Sequence, residues 1–376
     1  MMKAPRQDLT QVLTQRVGKA VKQVLKQARH RAITRDGSGS KWALKVLPQS
    51  GGLARIALAA AMAASFFLPC TASAQSAATY PSRPIRIVVT FTPGGAPDIL
   101  ARLLSEKFTA AWGQPVIVDN KPGAGGNIGA DQVAKSAPDG YTLVVGTVGT
   151  HAINGALYAR MPYDMVKDFT PVSLLATTPN MLVINTDVPA KNLAEFIALG
   201  KKEGHMSFAS SGSGTSIHVS GELFKTMTGI DMQHIPYKGR ASAIPDLLGG
   251  RVTMMFDNMP SSLPLVRDGK LRALGVTSLK RAAAAPEIPT IAEQGLPGFD
   301  AVSWFALFSA PNTPKPIVDK IQAEVTRILK SPDVAKRLSD LGLEPVGSTS
   351  DELATYQRAE IQKWSKVVKD SGAKVE

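Results

Sequence analysis

Two short stretches combine glycines and hydroxyls in the manner of an anion-binding turn: Thr92-Pro93-Gly94-Gly95-Ala96-Pro97-Asp98 and Ser210-Ser211-Gly212-Ser213-Gly214-Thr215-Ser216. Each follows a run of strand-forming residues and precedes a helical pattern. The backbone N–H groups at a helix start are unpaired and lie at the positive end of the helix dipole, so such a turn either holds an anion or simply joins strand to helix. Glycines let the backbone come close to a ligand, and the hydroxyls of Ser211, Ser213, Thr215 and Ser216 add donors. Pro97 stands where a first helical residue belongs and has no N–H, which leaves the first loop one donor short. Asp98 either faces a ligand ammonium or favours the helix dipole. Lys238 is either a cation for a carboxylate or a solvated loop lysine. Asp257 and Asn258, closing a strand, either bond a ligand or the opposite half of the molecule, or act as caps. None of these loops contains an arginine, so Lys238 is the side-chain cation expected near a cleft.

The usual catalytic and nucleotide patterns fail on inspection. In the run from Gly123 to Gly129 the G-x-G-x-x-G frame puts Ile128 where the third glycine belongs. Ser213 lies between Gly212 and Gly214, but Ser211 occupies the outer glycine of a G-x-S-x-G elbow. No phosphate-binding G-x-x-x-x-G-K-[ST] and no H-E-x-x-H occur. His151, His205, His218 and His234 lack metal-ligand spacing, so no metal and no cofactor is expected. His151 and His218 follow two of the candidate loops and are the histidines worth testing as site residues.

The elements around these loops alternate in the manner of an α/β protein. Residues 85–92 read as a buried strand, followed by helical spacing through Ile99, Leu103, Leu104, Phe108 and Trp112. Strands are expected at 116–119 and 142–147, the latter ending at Thr147, just before Thr150. Two more, 170–175 and 181–185, are separated by Pro179. A second cycle places strands at 207–210, 234–237, 252–256 and 271–276, with helices at 193–199, 217–227 and 243–248. Residues 301–310 are strand-like, and three helices at 316–330, 333–341 and 352–369 end the chain. Two cycles of similar size imply two lobes. The expected division is 75–178 with 300–376 as the first and 179–299 as the second, with crossings near 177–179 and 300–303.

Charge and cysteine narrow the function. The chain carries Lys+Arg 43 against Asp+Glu 30, a net +13 that on its face suits nucleic acid. Residues 1–74 hold 12 of the basic residues but only Asp8 and Asp36, leaving 31 against 28 in the remainder, a net +3. A near-neutral domain gives no case for a phosphate-backbone partner. Residues 56–68 form an uncharged apolar run behind Arg55, followed by Ala72-Ser73-Ala74, the layout of a cleaved export signal. Cleavage is expected after Ala74, and the run is too short to span a bilayer comfortably. Cys70 is the only cysteine, and Leu68-Pro69 before it suits lipidation poorly. Cleavage therefore leaves a mature chain without thiol chemistry. Residues 1–50 read either as a basic membrane-surface helix or as an over-long start to the signal.

The ordered set of motifs resembles one family. Tyr80-Pro81-Ser82-Arg83-Pro84-Ile85, FTPGGAPDILARLL from Phe91 and NKPGAGGNIGAD from Asn120 resemble the Bug family, extracytoplasmic receptors of tripartite tricarboxylate transporters. APDGYTL from Ala137, GTHAIN from Gly149, KDFTPVSLLA from Lys167, IPYKG from Ile235, DLLGGRVTMMFDN from Asp246, GKLRALGVT from Gly269, PTIAEQGLPGF from Pro289 and SWF from Ser303 continue the match in order. The resemblance implies a two-lobed periplasmic-binding-protein fold, type II-like, with the ligand cleft between the lobes. It further implies a non-enzymatic periplasmic monomer that takes a small carboxylate to the membrane subunits of such a transporter. The alternatives are a binding protein serving a membrane sensor kinase and, more remotely, an enzyme of the same fold. Carried over by position, the resemblance marks Pro93, Gly94, Gly95, Ala96, Asp98, Thr147, Thr150, His151, Ser211, Ser213, Gly214, Thr215, Ser216, Asp257 and Asn258 as the pocket. Ala96, Pro97, Ser211 and Ser213 depart from the family's usual PFPPGGGTD and SAGNGT, so they are where ligand choice is expected to differ.

Overall fold

The computed structural model describes residues 79–204 and 206–375. The expected export signal with Cys70 and the cleavage point after Ala74, the basic stretch before it, and His205 lie outside the described residues.

Strand β1 (Ile85–Val89) explains its own near-continuous apolar sequence. Side chains alternate across a strand, and here both faces are covered: Ile85, Ile87 and Val89 enter one core cluster and Val88 the other. Helix α1 (Ala96–Trp112) returns Leu100, Leu104 and Phe108 to the first of these clusters and stops at Gly113, which adopts the left-handed conformation that suits glycine. β2 (Val116–Asn120) and β3 (Thr142–Thr147) flank β1 in parallel, with helix α2 (Asn127–Ala134) between them in sequence. After β3 the chain makes a π-helical turn, Gly149–Ile153, that runs into the short helix α3 (Asn154–Leu157).

β4 (Thr170–Asn185) joins the two halves. Its first part, to Pro179, pairs antiparallel with β9 (Val302–Ser309), which also pairs with β3. From Asn180 it pairs instead with β7 (Met254–Asn258), and from Met181 also with β8 (Leu271–Val276). The sequence reading separated two strands at Pro179, but the chain continues through it. The proline, with no N–H to offer a ladder, falls where one set of partners gives way to the other. In the second half β5 (Met206–Ser210) lies parallel to β6 (Met232–Pro236) and β7, with α4 (Leu193–Glu203), α5 (Ser216–Thr228), α6 (Arg240–Leu248) and α7 (Met259–Arg267) completing the crossovers. The resulting strand order is β2-β1-β3-β9-β4-β7-β5-β6, with β8 and the short β10 (Glu344–Pro345) paired to β4 off that path.

The C-terminal helices pack on sheet already built. α8 (Lys315–Leu329) and α9 (Pro332–Asp340) cover the first core cluster through Ile321, Ile328 and Leu338. α10 (Ser350–Ser371) joins the other through Leu353, Trp364 and Val368. Glu360 on α10 accepts from the indole N–H groups of Trp364 (2.8 Å) and of Trp304 on β9 (3.0 Å), pinning this helix to the strand. Among the described residues no helix is long and apolar enough to cross a membrane.

Candidate functional site

In sheets of this kind ligands lie beyond the carboxyl ends of the strands. Here the ends of β1, β3, β5 and β7 converge on one cavity of about 40 Å³. The first half supplies Phe91, Thr92, Gly95, Pro97, Thr147 and Val148. The second supplies Ser211, Thr215, Ser216, Arg240, Asp257 and Ser261, and β9 adds Ser303 and Phe305. An adjoining cavity shares Phe91 and Ser211 with this one and is lined further by Gly123 to Gly126, Tyr158, Ser213 and Lys238.

The first loop is held from behind by Asp98. The carboxylate is buried; one oxygen accepts from the Gly94 N–H (2.9 Å) and Arg102 Nε (2.9 Å), the other from Asn120 Nδ2 (3.0 Å). Asp98 therefore faces its own loop and not a ligand ammonium. Burial pushes its pKa up, but the bonds from Arg102, Gly94 and Asn120 outweigh burial and hold it below the usual carboxylate value. A depressed carboxylate contributes stability that is present above its unfolded pKa of about 3.9 and is lost as pH falls through the lower folded value. Asp98→Asn is expected to cost about 1–3 kcal/mol at neutral pH, a deficit that shrinks in acid as the wild-type group protonates. Denaturant melts of both proteins across that range measure it; a deficit independent of pH would contradict the assignment.

The second loop is closed by its own cap. Thr215 Oγ1 accepts from His218 N (3.2 Å) at the start of α5 and donates to Gly212 O (2.8 Å), so this hydroxyl is committed to the loop even though the residue lines the cavity. Ser216 Oγ lies 2.6 Å from Ser303 Oγ, which is 3.0 Å from Asn180 Oδ1. Asn258 Nδ2 donates to both Asn180 Oδ1 (2.6 Å) and Ser303 Oγ (2.9 Å). The network ties the floor of the cavity to the point where β4 changes partners.

The cation in the cavity is Arg240, two residues beyond the lysine singled out from sequence. Its Nε donates to Asp257 Oδ2 (2.7 Å) and its Nη2 to Ser261 O (2.7 Å). Asp257 is almost fully buried and also accepts from Ser262 Oγ (2.5 Å) and its neighbour's N–H (3.0 Å). The expectation that no arginine stands near the cleft is thus corrected. Arg240 opens helix α6 just past the IPYKG motif, and its side chain reaches the end of β7 and the first turn of α7. Ser261 and Ser303 were also missed, since an isolated serine on a helix or strand carries no sequence signal.

Of the residues expected from sequence, Gly95, Thr147, Ser211, Thr215, Ser216, Asp257 and Asn258 line the main cavity. Ser213 and Lys238 line the adjoining one. Pro93 and Gly94 are exposed at the tip of the first loop, while Ala96 is buried behind it. Gly214 sits where the two halves meet: a Cβ there would stand 2.0 Å from Asn154 Oδ1. Thr150 and His151 are corrected. Both are fully buried, Thr150 Oγ1 lies 2.8 Å from His151 Nδ1, and the imidazole stacks on Phe308 with centroids 4.0 Å apart. Burial pushes the His151 pKa down to about 3, so it is a neutral core residue. Among the described residues no three of His, Cys, Asp and Glu gather as a metal site.

Two α/β halves joined through β4, with glycine-rich turns over a cavity lined from both, define a periplasmic-binding-protein fold. Within that class the chain belongs to the tripartite tricarboxylate transporter family receptors, whose family model matches residues 100–373. Protein BugT of Bordetella pertussis is 40% identical over 302 residues, covering 80% of this chain and 93% of BugT. Among solved structures, R. palustris Rpa4515 with adipate is 40% identical with a TM-score of 0.77, covering 79% of this chain and 100% of that one. MatC from Rhodopseudomonas palustris with bound malate is 37% identical with a TM-score of 0.74, covering 77% of this chain and 100% of that one.

Proposed function

We propose that the protein is an exported solute receptor that closes two lobes on a small carboxylate and presents it, without turning it over, to the membrane subunits of a tripartite tricarboxylate-type transporter. The observation that carries this reading is the convergence of donors from both halves on one cavity. Ser261 Oγ and Thr92 Oγ1 are buried in the lining with no protein partner among the described residues. A hydroxyl buried without a partner is costly, and a carboxylate oxygen supplies the missing acceptor. The adipate and malate held by Rpa4515 and MatC support the ligand class. The lobes we assign are 75–178 with 300–376, and 179–299, because the partners of β4 change between Pro179 and Asn180. Export to the periplasm rests on the leader's sequence pattern and on the family.

Thermal unfolding with succinate, malate, glutarate and adipate tests the reading, with the diamide of each acid as control. At a hundred times its dissociation constant a ligand adds about 2.7 kcal/mol, which raises the midpoint of a folded domain of about 300 residues by about 4 °C. At least one acid is expected to do so and its diamide to do nothing. Equal stabilisation by the diamide, or none by any acid, overturns the carboxylate assignment.

A further inference from the structure

Beneath the second loop stand two imidazoles that the capture of a carboxylate leaves without a role. His218, in the first turn of α5, is buried, and its Nδ1 accepts from the Gly214 N–H (3.3 Å). His234, on β6, has Nε2 2.7 Å from Ser210 Oγ, and that oxygen accepts from the Gly212 N–H (3.1 Å). The Ser210 hydroxyl is fully buried, and His234 Nε2 is the acceptor within reach of its proton. The two rings stack with centroids 4.0 Å apart and 27° between planes, and Phe208 of β5 packs beside them, 4.8 Å from the His234 ring and 6.4 Å from the His218 ring. From α5 the charged groups bearing on the pair are Glu222, whose Oε1 is 3.8 Å from His218 Nε2, and Lys225, 3.3 Å from Glu222. β5 meets the pair with Phe208 and Ser210, neither of them charged.

We infer that this stacked pair is a proton-sensitive support for the second loop: His218 and His234 are positioning residues that hold Gly214 and Gly212 only while both rings are neutral. The inference rests on the reading of that loop as part of the ligand cleft. A proton on His218 Nδ1 turns the acceptor into a donor facing the Gly214 N–H. Protonating both rings sets like charges against each other across the stack. The environment resists this. Burial pushes His218 down to about 4, helped by the Lys225 charge. Burial also pushes His234 down to about 3, helped by His218 and Lys225. Because the folded loop prefers the neutral rings, its stability is complete above the ordinary histidine pKa of about 6.5. It is drawn down as pH falls from there toward the folded values.

Amide hydrogen exchange at Gly212 and Gly214, read as protection factors, tests the inference together with ¹⁵N-histidine spectra. At neutral pH the spectra should show His218 with its proton on Nε2. His218→Phe keeps a ring but removes the acceptor, and Gly214 protection should fall about tenfold, the worth of one hydrogen bond. His218→Asn, whose amide oxygen stands near the place of Nδ1 and does not titrate, should restore it. In the wild type, Gly214 protection should fall progressively as pH drops from about 6.5 toward about 4, and in His218→Asn it should not. Unchanged protection in His218→Phe, or the same acid drop in His218→Asn, overturns the inference; the wild-type and Asn measurements decide it alone should the Phe protein fold poorly. Thermal shifts with adipate in the same proteins separate this inference from the one beneath it. If adipate stabilises the wild type and His218→Phe equally while the loop amides respond as expected, the support is real and the loop lies outside the ligand cleft.

Discussion

Gly125→Ala is expected to lower affinity for the bound acid at least about a hundredfold while costing the fold no more than the matched substitution Gly113→Ala. Gly125 lies in the turn after β2 with φ +60°, and a Cβ there would stand 2.2 Å from the Ser213 carbonyl oxygen and 2.8 Å from the Tyr158 hydroxyl. Tyr158 in turn donates to that same carbonyl at 2.9 Å, so the contact joins the first half to the second loop. A methyl group has no place there while the halves are together. It can be accommodated by opening, and then only the backbone strain of alanine in the left-handed region remains, about 1–2 kcal/mol. A receptor whose closed form falls to about one per cent of its population loses affinity by the same factor. Gly113→Ala is the matched control: its φ is +68° and a Cβ there meets nothing within 4 Å, so it carries the strain without the clash. Calorimetry of both variants and small-angle scattering with and without ligand would separate them. Equal affinities for the two would mean that this seam plays no part in capture.

The parts of this molecule that the sequence announced are those in which one segment suffices to express the constraint. β1 is buried on both faces, which writes a continuous apolar run; α1 and α5 begin after glycine-rich turns and end at glycines in the left-handed conformation. Helix α7 went unread because Pro260 and Pro264 interrupt its pattern, although Pro260 occupies a first-turn position where no N–H is needed. Helix α2 was hidden by the glycines of the turn before it, whose positive φ values set its direction but look like loop. At the site, the loops were legible because glycine, serine and threonine cluster in sequence. The partners that decide what each side chain does were not. Asp98 finds Asn120, His151 finds Phe308, Ser216 finds Ser303 and Arg240 finds Asp257 only through the order of strands in the sheet. Residue type therefore located the cleft, while topology assigned the roles within it.

Arg240→Met is expected to cost about 3–5 kcal/mol of stability, because it strands a buried carboxylate. Asp257 is 1% exposed and would keep only the Ser262 hydroxyl and the Asn258 N–H as donors, too few to replace a guanidinium for a group removed from water. Adding Asp257→Asn removes the stranded charge while leaving an acceptor for those donors, so the double variant should recover most of the loss. Affinity separates the two functions of the arginine. If Arg240 contributes to holding the acid, the double variant stays weak, by about five- to a hundredfold, although its fold is restored. If Arg240 serves only to neutralise Asp257, affinity returns with stability. Arg240 lines the cavity and its Nε and Nη2 are already engaged, which leaves Nη1 for a ligand, so the first outcome is the expected one. The same pairing bears on salt. An arginine balanced by a buried carboxylate inside a closed cleft presents little net field to the solvent, and enclosed charges are screened less than exposed ones. Wild-type affinity should therefore change little between low and moderate salt, whereas an anchor at the exposed Lys238 would show a steep loss. Denaturant melts and calorimetry on the wild type, Arg240→Met, and Arg240→Met with Asp257→Asn supply both axes of that comparison.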